Sequence, residues 1–198
     1  MDEIEISVGI CAHNERETIG VLLEEIMDED IPINEIIVVV AGDDGTASIV
    51  EKKMDKYEEI VLIEEDSREG QIVAQNKILE KSDSEAILLT DADGTLKKGS
   101  LEALHERFNG ENVVSGKEIP VTDNSFIGKV IDFHGEVHNN LCLINPRFST
   151  HIGIFPSKII DSFPEIILDD IYIEDKCISE NIRLEYEPDA VKYHHTPN

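Results

Sequence analysis

The chain has 198 residues, 40% of them hydrophobic, and carries 43 acidic against 17 basic side chains, a formal net charge of −26 at pH 7. That length suits one domain with a sizeable buried core. So negative a surface excludes a nucleic-acid backbone or an anionic membrane as an expected direct partner, and any polyanionic ligand needs a divalent cation or local Lys, Arg and backbone N–H groups to reverse the field.

EISVGICAH (5–13) reads as a buried strand, and NERETIGVLLEEIMDED (14–30) has Ile19, Leu22, Leu23 and Ile26 at helical spacing, with acids in its first turn. EIIVVVA (35–41) is a second strand, GDDG (42–45) a turn and TASIVEKKMDKY (46–57) a second helix. EIVLIEE (59–65), REGQIVAQNKILEKS (68–82) and AILLTDAD (86–93) repeat the strand, helix, strand order. Strands that are apolar throughout and separated by helices predict an open, mostly parallel α/β sheet covered on both faces, with ligands at the carboxyl ends of its strands. The second half is less regular: a helix at 99–108, a strand at 111–119, a helix at 127–143, a segment at 164–181 that starts extended and turns helical, a strand at 182–188 and the tail DAVKYHHTPN.

The longest apolar runs, such as IIVVV at 36–40, fall far short of the roughly 18 residues a membrane helix needs. MDEIEIS opens on acids, unlike a signal peptide, so a cytoplasmic place is the default expectation. Cys11, Cys142 and Cys177 show no C-x-x-C pairing and are expected as small buried hydrophobes.

The chemistry concentrates in DADGTL (91–96), where a strand ends in two carboxylates one residue apart. Alternation sends residues i and i+2 to one side, so Asp91 and Asp93 can act on a common ligand. Taken alone, DADGTL resembles the nucleophile motif of the haloacid dehalogenase phosphatases, with Asp91 as nucleophile and IILDD (166–170) as a second acidic motif for magnesium. In that superfamily, however, the nucleophile strand opens the domain, and here three strand–helix units precede it.

The flanks resemble family 2 glycosyltransferases across nearly the whole chain. ISVGICAHNERETIGVLLEEI (6–26) is similar to that family's first strand and Pro-Ala-Tyr-Asn-Glu turn, with Asn14 and Glu15 matching and Cys11 and His13 in place of Pro and Tyr. EIIVVVAGDDGTASIVEK (35–52) resembles its second strand and Asp-Gly-Thr helix start. REGQIVAQNKILEKSDSEAILLTDAD (68–93) resembles its Gly-Lys-x-x-Ala-x-Asn helix and Asp-x-Asp strand, with Gln71 where Lys is usual. LDDIYIEDKCISENIRLEYEPDAVKY (168–193) resembles the segment with the catalytic acid and the Pro-Asp-Ala strand.

The resemblance implies a single Rossmann-like domain of glycosyltransferase A type, with 1–110 binding the nucleotide sugar and 111–198 supplying the acceptor surface and catalytic base. It implies a Mg2+- or Mn2+-dependent, inverting transfer from a UDP- or GDP-sugar to an unknown lipid-phosphate, saccharide or small-molecule acceptor. A membrane-associated acceptor would place the protein at the inner membrane face. Donor contacts are expected from Ala12, His13, Asn14 and Glu15, from Ala41, Asp43 and Asp44, from Gly70, Gln71 and Asn76, and from Asp91 and Ala92. Asp93 is the implied metal anchor, Asp91 orients the ribose or a metal-bound water, and His194 or His195 completes the metal shell. Asp170 is the implied base, with Asp169 its neighbour and fallback, and two adjacent carboxylates raise one another's pKa.

The departures also matter. Ala41 stands where the family has a nucleobase-reading Asp, so the base stays open. The processive Gln-x-x-Arg-Trp motif is absent, which favours transfer of one sugar. A degenerate member that binds a sugar nucleotide without turnover is the remaining alternative. His134 and His138 share a helical face without a third ligand in reach of the sequence, and are expected to be structural.

Overall fold

The structure is a computed structural model that describes residues 4–123, 125–165 and 168–195. The first half alternates as expected: β1 (Ile6–His13), α1 (Ile19–Met27), β2 (Ile33–Ala41), α2 (Thr46–Met54), β3 (Ile60–Glu64), α3 (Gln71–Lys81) and β4 (Ala86–Asp91). Then follow β5 (Gly94–Leu96), α4 (Ser100–Arg107), β6 (Val113–Val121), α5 (Phe126–Cys142), β7 (Ile152–Pro156), α6 (Asp169–Ser179) and β8 (Leu184–His195). They build one sheet in the order β3-β2-β1-β4-β7-β6-β8-β5.

β3, β2, β1 and β4 run parallel, and β6 pairs parallel with β8. β7 lies antiparallel between β4 and β6, and β5 lies antiparallel on β8. The chain builds outward from β1 to β3, then returns to the other side of β1 as β4. The carboxyl ends of β1 and β4 therefore form a topological switch point, where open α/β sheets bind ligands.

The continuous apolar run of β2 follows from burial on both faces. Ile36, Val38 and Val40 pack with β1 and with Leu22, Leu23 and Ile26 of α1, whereas Ile37 and Val39 join Ile78, Ile87, Leu89 and Phe155 on the opposite face. Each such fully buried side chain is worth about 1.5–3 kcal/mol of transfer free energy. α5 is unusual. Its small residues Gly128, Gly135 and Cys142 recur every seventh position; a side chain on either glycine would meet Asp123 or Pro120, and Cys142 is buried. Phe126, Ile127, Val130, Phe133 and Leu141 face outward instead.

Several expectations change. The helix expected over 14–30 starts only at Ile19, so Glu15 and Glu17 lie in the turn before it and no acid occupies its first turn. Gly94 to Leu96 form a further short strand, β5, and neither it nor β7 was among the expected elements. The strand expected to end at 188 runs on to His195. Ile166, Ile167 and the last three residues of the tail lie outside the described residues. Among the described residues, no helix is long and apolar enough to cross a membrane.

β5 fits against β8 because residue 94 lacks a side chain: a Cβ there would sit 2.1 Å from the Tyr193 carbonyl oxygen and 3.1 Å from Lys192 Cε. Gly94→Ala is expected to force the strands apart and destabilise the fold by about 2 kcal/mol or more, read as a lower denaturant midpoint at unchanged slope.

Candidate active site

The turns after β1, β2 and β4 and the start of α3 enclose a cleft lined by Ala12, His13, Glu15, Ala41, Gly70, Gln71, Asp91, Ala92 and Asp93. Asn14 adopts φ 60, a left-handed conformation that Asn tolerates better than most residues. Gly42, at φ +107, leaves room for it, since a Cβ at 42 would lie 2.1 Å from Asn14 Oδ1. The turn is pinned to α2: the Glu15 N–H donates to Thr46 Oγ1 at 2.9 Å and the Arg16 N–H to Asp44 Oδ2 at 3.1 Å. Asp44 Oδ1 also accepts the Thr46 N–H and hydroxyl at 3.0 and 2.6 Å, so this carboxylate organises the turn. Asp43 is exposed beside it. Cys11 is only partly buried and lines the cleft, unlike Cys142 and Cys177.

Asn76 sits away from the cleft lining. Its amide donates to the Phe163 carbonyl at 2.9 Å and accepts the Phe163 N–H at 2.7 Å, tying α3 to the segment before α6.

At the floor, Asp91 ends β4 and Asp93 follows in the turn to β5. Asp91 Oδ2 lies 3.0 Å from His151 Nδ1, and Asp93 Oδ2 lies 3.0 Å from His194 Nδ1. The two imidazoles meet edge-on with centroids 5.2 Å apart. Glu118 of β6 stands behind them, 3.9 Å from His151 Nε2 and 4.0 Å from His194 Nδ1. Asp93 Oδ1, His151 Nδ1 and His194 Nδ1 are buried and make no aligned hydrogen bond.

Asp93, His151 and His194 each offer a ligand atom, all within 4.8 Å of one another, and an imidazole–carboxylate set with unsatisfied buried donor atoms suits a divalent transition ion such as Mn2+. His195 presents an exposed side chain, and its N–H donates to the Asp93 carbonyl at 3.0 Å, so β8 brings His194 rather than His195 to this cluster.

Burial alone would push the His151 pKa down, but the Asp91 carboxylate outweighs it and holds the imidazole up at about 9. Burial likewise opposes ionisation of Asp93, yet His194, Lys192 and His151 keep its pKa below the usual carboxylate value.

Asp169 and Asp170 begin α6. Asp169 is buried and heavily hydrogen-bonded: Oδ2 accepts from Gln75 Nε2 at 2.6 Å, from the Thr150 hydroxyl at 3.1 Å and from Gln71 Nε2 at 3.4 Å, while Oδ1 accepts the Asp170 N–H at 3.1 Å. Asp170 Oδ1 accepts the Thr150 N–H at 2.8 Å, and no Lys or Arg pairs with it among the described residues. Burial first, and the Asp169 charge second, raise Asp170 to about 6. The adjacent acids thus diverge, one fixed by amides and a hydroxyl and the other poised to bind a proton near neutrality.

His151, Glu118 and Lys192 escaped the sequence. Lys192 and His194 were legible in principle, because strand alternation over VKYHH puts both on one face. His151 was not, since only the antiparallel insertion of β7 brings it to Asp91. His134 and His138 remain exposed on α5, where His138 Nε2 lies 3.5 Å from Cys142 Sγ.

The mostly parallel sheet with its acidic pair at the switch point is similar in fold to solved glycosyltransferases of A type. Over residues 7–158 the sequence matches glycosyl transferase family 2, and the chain belongs to that family. It is 28% identical over 108 residues to a cholesterol galactosyltransferase of Borreliella burgdorferi, covering 54% of this chain and 30% of that protein. It is 33% identical over 100 residues to a Bacillus subtilis protein named for teichuronic acid biosynthesis, the glycosyltransferase TuaG, covering 49% and 39%. The chain thus spans about a third of the length of these relatives.

Among solved structures, the mannosyltransferase PcManGT from Pyrobaculum calidifontis, in complex with GDP-mannose and Mn2+, superposes with a TM-score of 0.78 at 24% identity, covering 99% of this chain and 58% of that one. S. aureus TarS gives a TM-score of 0.71 at 19% identity, covering 98% and 37%. The family assignment sets the phosphatase alternative aside, and the geometry agrees with that, since Asp91 is engaged by His151.

The raised pKa of Asp170 fixes a sign. Its folded value of about 6 lies above the ordinary value near 4, so its proton favours folding below pH 4, and that contribution is lost as the pH rises through 6. Asp170→Asn, which keeps an acceptor for Thr150, is expected to raise the melting temperature above wild type at pH 8 and to flatten its change between pH 4 and 6. Asp169→Asn is expected to lower the Asp170 titration, followed by carbon-13 NMR of the carboxylates.

Proposed function

We propose that this chain is the donor-binding and catalytic part of a metal-dependent, inverting glycosyltransferase that moves one sugar from a nucleoside-diphosphate sugar to an acceptor. The observation that carries this is the convergence of unsatisfied Asp93 and histidine atoms at the strand ends, with a second acid, Asp170, raised towards neutrality on the neighbouring helix. PcManGT is bound to GDP-mannose and Mn2+, which supports a nucleotide-sugar donor and a divalent ion for this chain as well.

In this assignment Asp93 and His194, joined by His151, would hold Mg2+ or Mn2+. The ion, when bound, neutralises charge building on the leaving diphosphate. Asp91 acts through His151 and keeps that imidazole oriented. The cleft between the β1 turn and α3 takes the nucleotide, with Ala12, His13, Ala41, Gly70 and Gln71 as its walls. With no acidic side chain at position 41, base choice falls to the rest of these walls, and UDP- and GDP-sugars are both candidates.

Asp170 takes the proton from the acceptor hydroxyl as that oxygen attacks the anomeric carbon from the face opposite the diphosphate, which inverts the configuration. Asp169 holds Gln71, Gln75 and Thr150 in place around it. Thr150 in turn fixes Asp170 through its N–H. The acceptor side is the second cleft, where Glu17, Thr18, Val121, Ser125, Ile127 and Ile131 border Asp93. Its mixed polar and apolar wall fits an acceptor with an apolar part, in line with the lipid named for the cholesterol galactosyltransferase.

Two substitutions separate the roles. Asp93→Asn is expected to abolish Mn2+-dependent binding of UDP- and GDP-sugars by calorimetry, and unchanged affinity would remove Asp93 from the metal site. Asp170→Asn is expected to bind donor normally while losing transfer or donor hydrolysis by about a hundredfold or more. Retained turnover in that variant would put the base elsewhere, and no turnover in the wild type with either donor would favour a binding-only protein.

A further inference from the structure

Lys192 is fully buried, a rare state for a lysine, and burial pulls its pKa below the ordinary lysine value against the opposing pull of Asp91, Asp93 and Glu118, so its charge is costly unless the ammonium is paired. It sits on β8, two residues before His194, and pairs across the sheet with Glu118 of β6. Nζ donates to Thr90 Oγ1 at 3.1 Å and to the main-chain carbonyl of Asp91. The third N–H of an ammonium is left for Asp93, whose Oδ1 lies 3.7 Å away and is itself buried without a hydrogen bond. The Thr90 hydroxyl donates onward to the His151 carbonyl at 2.7 Å. One side chain therefore reaches Asp91 through its carbonyl, Asp93 through its carboxylate and His151 through Thr90, while its own strand carries His194.

We propose that Lys192 is a positioning residue: a built-in cation that holds the Asp91 carbonyl, the Asp93 carboxylate and, through Thr90, the His151 backbone in register for a divalent ion, and balances the negative charge of Asp91 and Asp93 when no ion is bound. This rests on the assignment of Asp93, His151 and His194 as the metal ligands. Three carboxylates, Asp91, Asp93 and Glu118, crowd this corner of a chain whose charge is already −26. Without Lys192, only His151 and His194 would face these carboxylates as β4, β5 and β8 close around them, and the ordered site would lean on the metal ion. With Lys192 in place, the ion can enter and leave an already ordered site. The lysine needs no contact with substrate to do this, because its Nζ hydrogen bonds go to Thr90 and the Asp91 carbonyl.

Lys192→Met keeps the stem and removes the charge. Its melting temperature in EDTA is expected to fall by roughly 5 °C or more relative to wild type, and saturating Mn2+ is expected to restore at least about half of that loss. The double variant Asp93→Asn/Lys192→Met, with one negative charge fewer, is expected to recover stability in EDTA beyond the sum of the two single changes. Equal loss with and without Mn2+, together with simple additivity in EDTA, would reduce Lys192 to a packing residue and overturn the proposal.

If Lys192→Met alone yields no folded protein, soluble yield of the double variant in metal-free medium decides the matter: recovery supports the pairing and failure overturns it. Coupling in EDTA with no effect of Mn2+ on either protein would uphold the pairing and overturn the metal assignment instead.

Discussion

A buried ammonium ion governs the architecture of the site. Lys192 bonds to Thr90 and to the carbonyl of Asp91, and so joins the last strand of the chain to the end of β4. Around it the negative charges of Asp91, Asp93 and Glu118 are answered by His151 and His194. Burial works against every charge in this cluster. The arrangement holds because each member's cost is offset by an opposite charge within about one side-chain contact.

The same logic of unequal neighbours separates the two acids of α6. Asp169 collects hydrogen bonds from Gln75, Gln71, Thr150 and the Asp170 N–H. Asp170, by its burial first and its charged neighbour second, is held up at about 6. One carboxylate supplies rigidity and the other a titratable group, although they are adjacent in sequence. The turn after β1 is built differently, from backbone geometry: Asn14 in a left-handed conformation, Gly42 giving it room, and Asp44 fastening the start of α2.

The first half of the fold was legible because its strands are apolar on both faces and its helices keep their spacing, and DADG marked the strand end of the site. The adjacent acids Asp169 and Asp170 and the helix that carries them were visible in the same way. β5 was not, since three residues carry no periodicity, and Gly-Thr in isolation favours a turn. β7 was hidden in the irregular stretch after α5, and with it His151, whose position depends on where an antiparallel strand inserts. The choice between His194 and His195 depends on register, because one step along β8 turns a side chain from the cluster to solvent. Asn76 and Asp44 stand in the expected places, and the hydrogen bonds they make run to the scaffold.

β7 has a consequence beyond placing His151. It is buried along its whole length and is the strand that joins the parallel β1–β4 unit to β6 and β8, with only Gly153 and Ile154 paired to β6. The amides that bridge the two parts belong to a segment sealed on both faces. Their exchange with solvent therefore requires the β1–β4 unit and the β6–β8 unit to open together, which makes β7 the cooperative joint of the domain rather than a hinge within it.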